Sequence, residues 1–309
     1  MSDFKHTAVL GVGVIGASWT ALFLASGRSV AVYDPSPETE ASVKACLEKS
    51  WPVLEQLGLT ANGNPDNISF HKTASDAVAD ASFIQENVPE QIEIKHALYR
   101  EIEAELHTDA VIASSASGLT LTEMQSGFNN PSPLVLGHPF NPPHLIPLVE
   151  VMGNDKTGTG VVEKAESFYK AVGKVTIRVN KEVPGHVANR LQAAVWREAI
   201  HMINSGVASV EDVDTAMWAG PGLRWAVMGP TMLFHLGAGD GGLQEFCERY
   251  SVSFNRWWDD LGELHLNPEI TEQLVAGVEQ ETDGASGAEL SAKRDVMLTA
   301  ILQATHNLR

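Results

Sequence analysis

Three glycines near the start of the chain, Gly11, Gly13 and Gly16, form the pattern G-x-G-x-x-G between an apolar segment and a helix-forming segment. No other feature constrains the fold as much, because each glycine has a physical task. The first permits a tight turn, the second lets backbone approach a pyrophosphate, and the third lets the helix pack closely on the strand. The N-terminus of that helix offers N–H groups and partial positive charge to phosphates. The pattern predicts a strand–turn–helix unit that binds a dinucleotide.

Asp34 ends the next predicted strand, about twenty residues after the glycine turn. A carboxylate there accepts hydrogen bonds from ribose hydroxyls and repels a 2′-phosphate, so we predict NAD rather than NADP. FAD is an alternative on this pattern alone. The predicted cofactor-binding residues of this segment are Gly11, Gly13, Val14, Ile15, Gly16 and Asp34.

Predicted strands and helices alternate as far as residue 183, a pattern typical of a doubly wound α/β Rossmann-like domain with helices on both faces of the sheet. One of its helices is predicted to break near Pro52. Beyond Val183 only helical segments are evident, and 309 residues exceed the usual size of a single core. We therefore predict an NAD-binding domain over 1–183 and an all-α substrate and dimerisation domain over 184–309.

The formal net charge is −18 and the sequence contains no block of basic residues, which argues against nucleic acid or an anionic membrane as partner. We find no secretory signal and no run long enough to span a membrane. Cys46 and Cys247 lack metal-ligand spacing, so we expect reduced thiols, no metal site and a cytoplasmic location.

The segment GHPFNPPHLIPLVEV, residues 137–151, contains the candidate chemistry. His138 follows one predicted strand and Glu150 lies on the next. The proline turn between them would bring Glu150 back, antiparallel or at a sharp angle, behind His138. Oxidation of a secondary alcohol needs a base for the hydroxyl proton, and histidine is the usual choice. A carboxylate behind it fixes the tautomer and stabilises the imidazolium.

Ser117, which closes an earlier strand, and Asn189 could hold the substrate oxygen beside that base. The residues alone leave an alternative open, in which His138 is an ordinary surface histidine and Glu150 pairs with a lysine. His144, the second histidine of the segment, is predicted to lie at the surface.

Five segments, read in order, resemble the 3-hydroxyacyl-CoA dehydrogenase family. The resemblance implies a Rossmann-like domain, a helical domain that forms a homodimer, and NAD as cofactor. It also implies a His138–Glu150 dyad, with Ser117 and Asn189 at the substrate and with Glu90 and Lys95 near the nicotinamide. The segments are GVGVIG…YD at 11–34, ENVPEQIEIK at 86–95, SSASGL at 114–119, GHPFNPP…LVEV at 137–151 and KEVPGHVANRL at 181–191.

Within the family, the segment GPGLRWAVMGP at 220–230 and the few lysines after the second strand look closer to the branch of L-gulonate 3-dehydrogenase (lambda-crystallin) and L-carnitine dehydrogenase. We therefore expect NAD-dependent oxidation of a small free L-3-hydroxy acid of gulonate type. L-carnitine, 3-hydroxybutyryl-CoA and a non-catalytic NAD-binding structural protein are the alternatives. Arg224 could clamp a carboxylate, or form a salt bridge at a helix end. The expected substrate-binding residues are Ser117, Asn141, Asn189, Arg224 and Trp225.

A quaternary ammonium substrate would favour a cage of aromatic rings. Aromatic residues at helical spacing in the second domain could supply one, or could belong to the core or the dimer interface. These residues are Trp218, Trp225, Phe234, Trp257 and Trp258.

Overall fold

The computed structural model describes residues 4–305, which divide into two compact units between Ala188 and Asn189. Each unit is described by itself.

The first unit is built on one eight-stranded sheet with the strand order β3-β2-β1-β4-β5-β6-β7-β8. Neighbouring strands pair in parallel, except that β7 runs antiparallel to β6. The strand order reverses between β1 and β4, and in open α/β sheets ligands bind beyond the carboxyl ends of the strands at such a point. The strands are β1 (His6–Leu10), β2 (Ser29–Tyr33), β3 (Ile68–Phe70), β4 (Phe83–Glu86), β5 (Val111–Ser114), β6 (Leu134–Pro139), β7 (Leu148–Met152) and β8 (Val175–Arg178).

Helices cover both faces of this sheet, because successive strand residues point to opposite sides. In β5, Val111 and Ala113 pack in one apolar core and Ile112 packs in the other. The first core includes residues of α1, α2 and α6, and the second includes residues of α3, α4 and α5. The helices are α1 (Val14–Ala25), α2 (Thr39–Gln56), α3 (Ala74–Val78), α4 (Ile92–Ile102), α5 (Leu121–Gln125) and α6 (Val161–Ala171).

The predicted break near Pro52 is wrong, because α2 continues through it as a single helix. Proline removes one helical hydrogen bond and disfavours a straight helix. Val43 and Leu54, on either side of Pro52, are both fully buried in the same apolar core. Burial of this face on both sides of the proline keeps the two parts of α2 in one helix.

The regular elements of the second unit within its described residues are all helices, which confirms the predicted fold class. Its small core is formed by Ile203, Val210 and Val213. Ser209 caps α8 by accepting the Asp212 N–H at 3.1 Å. The helices are α7 (Ala188–Asn204), α8 (Val210–Ala219), α9 (Pro221–Trp225), α10 (Pro230–Gly237), α11 (Gly242–Asp260), α12 (Pro268–Thr282) and α13 (Gly287–Thr305).

Between residues 4 and 305, no helix has the length and apolar character needed to cross a membrane.

Candidate active site

The glycine turn joins β1 to α1 with the geometry that a dinucleotide requires. Gly11 has φ +83°, in the left-handed region that favours glycine. A Cβ on Gly16 would lie 1.9 Å from the Gly11 carbonyl oxygen, so the close packing of helix on turn requires glycine there. A Cβ on Gly13 would meet no atom within 4 Å, which leaves open space above this backbone. Among residues 4–305, no side chain caps the N-terminus of α1, so within this part of the chain its first N–H groups are free to bind phosphate.

Asp34 follows β2 and is tied to the same turn. Its Oδ2 accepts the Val12 N–H at 2.7 Å and its Oδ1 accepts the Ser36 N–H at 2.9 Å. These bonds hold the carboxylate beside the glycine turn, where a ribose would lie. Val14 is exposed at the first position of α1, whereas Ile15 packs against the apolar core. The side chain of Ile15 is half-buried, so it contributes to packing while part of it remains exposed beside the turn.

The antiparallel pairing of β6 and β7 sets His138 directly opposite Glu150. Nδ1 of His138 lies 2.8 Å from Oε2 of Glu150, and both side chains are buried. Oε1 of Glu150 accepts the N–H groups of Val187 at 2.9 Å and Ala188 at 3.0 Å. Burial opposes ionisation of Glu150, but the hydrogen bonds from His138, Ala188 and Val187 outweigh it and hold the pKa below its usual value.

This geometry determines the tautomer of the neutral histidine. An ionised carboxylate only accepts hydrogen bonds, so the hydrogen lies on Nδ1 of His138 and the lone pair on Nε2. That nitrogen is 3.1 Å from the Ser117 hydroxyl oxygen. The arrangement can remove a proton from an alcohol bound beside Ser117.

Glu90 holds the loop that carries Ser117. Its Oε1 accepts the N–H groups of Ser117 at 2.8 Å and Leu119 at 3.0 Å, and also the N–H of Gly118. Burial raises the pKa of Glu90, but these backbone hydrogen bonds outweigh burial and leave it below the usual value. Glu90 thus connects the loop after β4 to the loop after β5, at the carboxyl edge of the sheet.

Lys95, predicted to lie near the nicotinamide, is paired inside the first unit. Its side chain is 1% exposed. Its ammonium donates to Glu86 Oε1 at 2.7 Å, to Glu86 Oε2 at 2.9 Å and to the Val88 carbonyl at 3.3 Å. All three donors of the lysine are satisfied inside the protein. Sequence reasoning missed Glu86, although a glutamate at the end of an apolar strand with a lysine nine residues later indicates such a pair.

The β6–β7 loop is anchored at two further points that the sequence did not reveal. His144 is half-buried rather than at the surface, and its N–H and Nδ1 lie 2.9 and 2.8 Å from the Ser18 hydroxyl of α1. The buried ammonium of Lys174 donates to the Pro143 carbonyl and, at 2.8 Å, to the Ile146 carbonyl. Burial lowers the pKa of Lys174 to about 7. These contacts hold the turn that returns Glu150 to His138.

The remaining predicted substrate residues are each described within their own unit. Asn141 is exposed in the β6–β7 loop. Asn189 is half-buried at the second position of α7, in the second unit. Arg224 and Trp225 are exposed on α9, and Arg224 forms no salt bridge within the described part of its own unit. Of the predicted aromatic cage, Phe234 of α10 and Trp257 and Trp258 of α11 are linked through the rings of Phe246 and Phe254, both on α11.

The two units match two models of one family. Residues 6–183 match "3-hydroxyacyl-CoA dehydrogenase, NAD binding domain", and residues 185–276 match "3-hydroxyacyl-CoA dehydrogenase, C-terminal domain". The chain belongs to the 3-hydroxyacyl-CoA dehydrogenase family and is an NAD-dependent 3-hydroxy acid dehydrogenase. The predictions of family, enzyme class and cofactor are confirmed.

Relatives within the family are similar over almost the whole chain. The L-carnitine dehydrogenase of Streptomyces coelicolor is 44% identical over 306 residues, which cover 99% of this chain and 96% of that protein. The L-carnitine dehydrogenase of Pseudomonas putida is 38% identical over 304 residues, covering 98% and 95%. Among solved structures, the NAD⁺-dependent 5-formyl-3-hydroxy-2-methylpyridine 4-carboxylic acid 5-dehydrogenase has a TM-score of 0.83 and 29% identity, covering 98% and 99%.

Proposed function

We propose that this enzyme oxidises the 3-hydroxyl of L-carnitine with NAD. The observation that carries the reaction is the buried His138–Glu150 pair, whose free Nε2 lies 3.1 Å from Ser117 Oγ. The support for the substrate is the similarity to L-carnitine dehydrogenases along nearly the full chain. This similarity favours L-carnitine over the L-gulonate type of substrate expected from the sequence.

In this proposal, His138 is the general base. Its Nε2 lone pair takes the proton of the 3-hydroxyl, while Glu150 keeps Nδ1 protonated and stabilises the resulting imidazolium. The Ser117 hydroxyl and the Asn189 amide hold the substrate oxygen in line with Nε2. NAD, held at the glycine turn and Asp34, would supply the acceptor for the hydride of C3. Glu90 keeps Ser117 in position through the backbone N–H groups of its loop.

L-carnitine has a carboxylate at one end and a trimethylammonium group at the other, and the two groups require different binding residues. We propose that Arg224, exposed on α9, binds the carboxylate through its guanidinium fork, with Asn141 and Trp225 as further substrate contacts. An aromatic face suits the trimethylammonium group. An Arg224→Gln variant should raise KM for L-carnitine by about tenfold or more and change kcat little. An unchanged KM would reject this role.

The test of the proposed function is a substrate panel followed by NADH absorbance. L-carnitine, L-gulonate, L-3-hydroxybutyrate and 3-hydroxybutyryl-CoA are compared at equal concentration, with D-carnitine as the stereochemical control. The proposal expects the highest kcat/KM for L-carnitine. A higher kcat/KM for L-gulonate or for the CoA ester would overturn the substrate assignment and leave the reaction type intact.

The base assignment has its own variant, His138→Gln. This change keeps a side chain of similar reach but leaves no imidazole lone pair. We expect turnover to be lost with every substrate of the panel, whereas NAD binding, measured by quenching of protein fluorescence, is retained. Retained turnover would show that another group takes the proton.

We also propose that the second unit forms a homodimer. Its helices expose many large apolar side chains, more than the isolated ones that are normal on a monomer. Size-exclusion chromatography with light scattering should give twice the chain mass, and a monomer at micromolar concentration would reject the proposal. Examples of these exposed residues are Trp196, Trp218, Val227, Val252, Trp257, Trp258 and Val296.

A further inference from the structure

His186 lies between β8 and α7, directly before the N–H groups that hold Glu150. Its φ is +50°, in the left-handed region that non-glycine residues seldom adopt, and Gly185 before it has φ +73°. Two successive left-handed residues turn the chain sharply. The next two N–H groups, those of Val187 and Ala188, then donate to Glu150 Oε1 at 2.9 and 3.0 Å. The backbone at His186 is therefore part of the anchor of the carboxylate.

The side chain of His186 contacts a second part of the site, the loop that carries Ser117. Its Nε2 lies 3.3 Å from the carbonyl oxygen of Ala116, the residue before Ser117. Because a carbonyl oxygen only accepts, Nε2 carries the hydrogen. Burial lowers the pKa of His186, and its hydrogen bond and two nearby carboxylates offset this only in part. The ring is therefore neutral at neutral pH.

The same ring packs against the base. The centroids of the His186 and His138 rings are 5.0 Å apart, with a tilt of 54°. His186 thus contacts His138, bonds the residue next to Ser117 and precedes the donors to Glu150. Two features of His186 are unfavourable for folding stability. Its backbone is left-handed, and its buried Nδ1 has no hydrogen-bond partner within residues 4–305. Unfavourable features of this kind persist where the surrounding structure requires them, and they concentrate at functional sites.

We propose that His186 is a positioning residue that holds Ser117 and Glu150 on the two sides of His138. The Nε2–H bond to Ala116 keeps Ser117 Oγ at Nε2 of the base, and the left-handed turn keeps Glu150 at Nδ1. His186 takes no proton from the substrate in this role. The inference rests on the proposed catalytic roles of His138 and Glu150.

The matched pair of variants His186→Gln and His186→Met tests the side-chain bond. Both side chains are unbranched and of similar length, but only glutamine can donate to the Ala116 carbonyl. We expect His186→Met to lower kcat by about 10- to 100-fold, the loss that follows when a catalytic group is misplaced by up to about 1 Å. His186→Gln should stay within about threefold of the wild-type kcat, and the Kd for NAD should be unchanged in both. Equal kcat values for the two variants would overturn the proposal.

A double-mutant cycle shows whether His186 acts through Ser117. The kcat/KM for the best substrate of the panel is measured for His186→Met, Ser117→Ala and the double variant. If His186 acts by placing Ser117, the double variant falls within about threefold of Ser117→Ala alone. Losses that multiply would indicate a general structural effect and reject the proposal. If His186→Met does not fold, His186→Gly replaces it, because glycine adopts the left-handed turn without strain.

Failure of this inference is distinguishable from failure of the proposed reaction. If His138→Gln keeps its turnover, the assignment of the base is wrong. If His138→Gln is inactive and His186→Met has the wild-type kcat, only the positioning role is wrong. The identity of the substrate does not enter, because each comparison uses whichever hydroxy acid the panel selects.

Discussion

Replacing Glu150 by glutamine tests the orientation of the dyad directly. Oε1 of Glu150 accepts two backbone N–H groups, from Val187 at 2.9 Å and Ala188 at 3.0 Å, so a glutamine must keep its carbonyl oxygen there. Its NH₂ group then occupies the place of Oε2, which lies 2.8 Å from Nδ1 of His138. Since an NH₂ group only donates, Nδ1 must accept, and the imidazole hydrogen moves to Nε2. The lone pair that would take the substrate proton is lost.

The expected loss in kcat for Glu150→Gln is about 10³- to 10⁴-fold, the effect of the wrong tautomer in a histidine–carboxylate pair. This corresponds to roughly 4 to 5.5 kcal/mol in the activation free energy. The Kd for NAD should not change, because the predicted cofactor residues Gly11 and Asp34 make no hydrogen bond to the dyad within the described chain. Circular dichroism checks that the variant is folded.

The matched control is Glu150→Asp, which keeps an acceptor-only carboxylate. Its side chain is one methylene shorter, so we expect it to retain more activity than Glu150→Gln despite the imperfect distance. A Glu150→Gln enzyme with kcat within about tenfold of wild type would refute the tautomer argument. If kcat falls equally in Glu150→Gln and Glu150→Asp, the length of the side chain determines the loss and the hydrogen-bond acceptor at Nδ1 of His138 does not.

Three further predictions concern the first unit. Lys174→Met should remove a pH dependence of stability. The pKa of Lys174 is lowered to about 7 in the folded protein, so above pH 7 the unfolded chain binds more protons than the folded one. The unfolding free energy of the wild type should therefore rise by about 2 kcal/mol between pH 7 and 9 because of this lysine. Urea denaturation at both pH values measures this, and equal slopes for variant and wild type would contradict it. Asp34→Ala should weaken NAD binding by about tenfold and raise the NADP to NAD ratio of kcat/KM, and an unchanged ratio would exclude ribose recognition by Asp34. Gly16→Ala should lose NAD binding or fold poorly, since its Cβ would lie 1.9 Å from the Gly11 carbonyl oxygen, and wild-type NAD titration would reject that reasoning.

The local features of this enzyme could be predicted from the sequence because neighbouring residues determine them. The glycine spacing of the first turn and the position of Asp34 depend on chain geometry over a few tens of residues. The doubly wound sheet followed by helices was evident from the alternation of apolar patterns. The proline turn before Glu150 indicated that β7 returns toward His138, and the register of the two strands places these residues opposite each other.

The partners of buried polar groups could not be predicted, because packing between distant segments selects them. The sequence did not show that Lys95, predicted near the nicotinamide, pairs with Glu86 inside the first unit. The histidine at position 186 has no distinguishing local pattern, and its contact with Ala116 spans 70 residues of chain. The sequence by itself determined the dinucleotide turn and the candidate base, because local spacing encodes them. Only the tertiary structure decided which donors hold Glu150 and Ser117 about that base, because burial makes each polar group take a partner from whichever segment lies beside it.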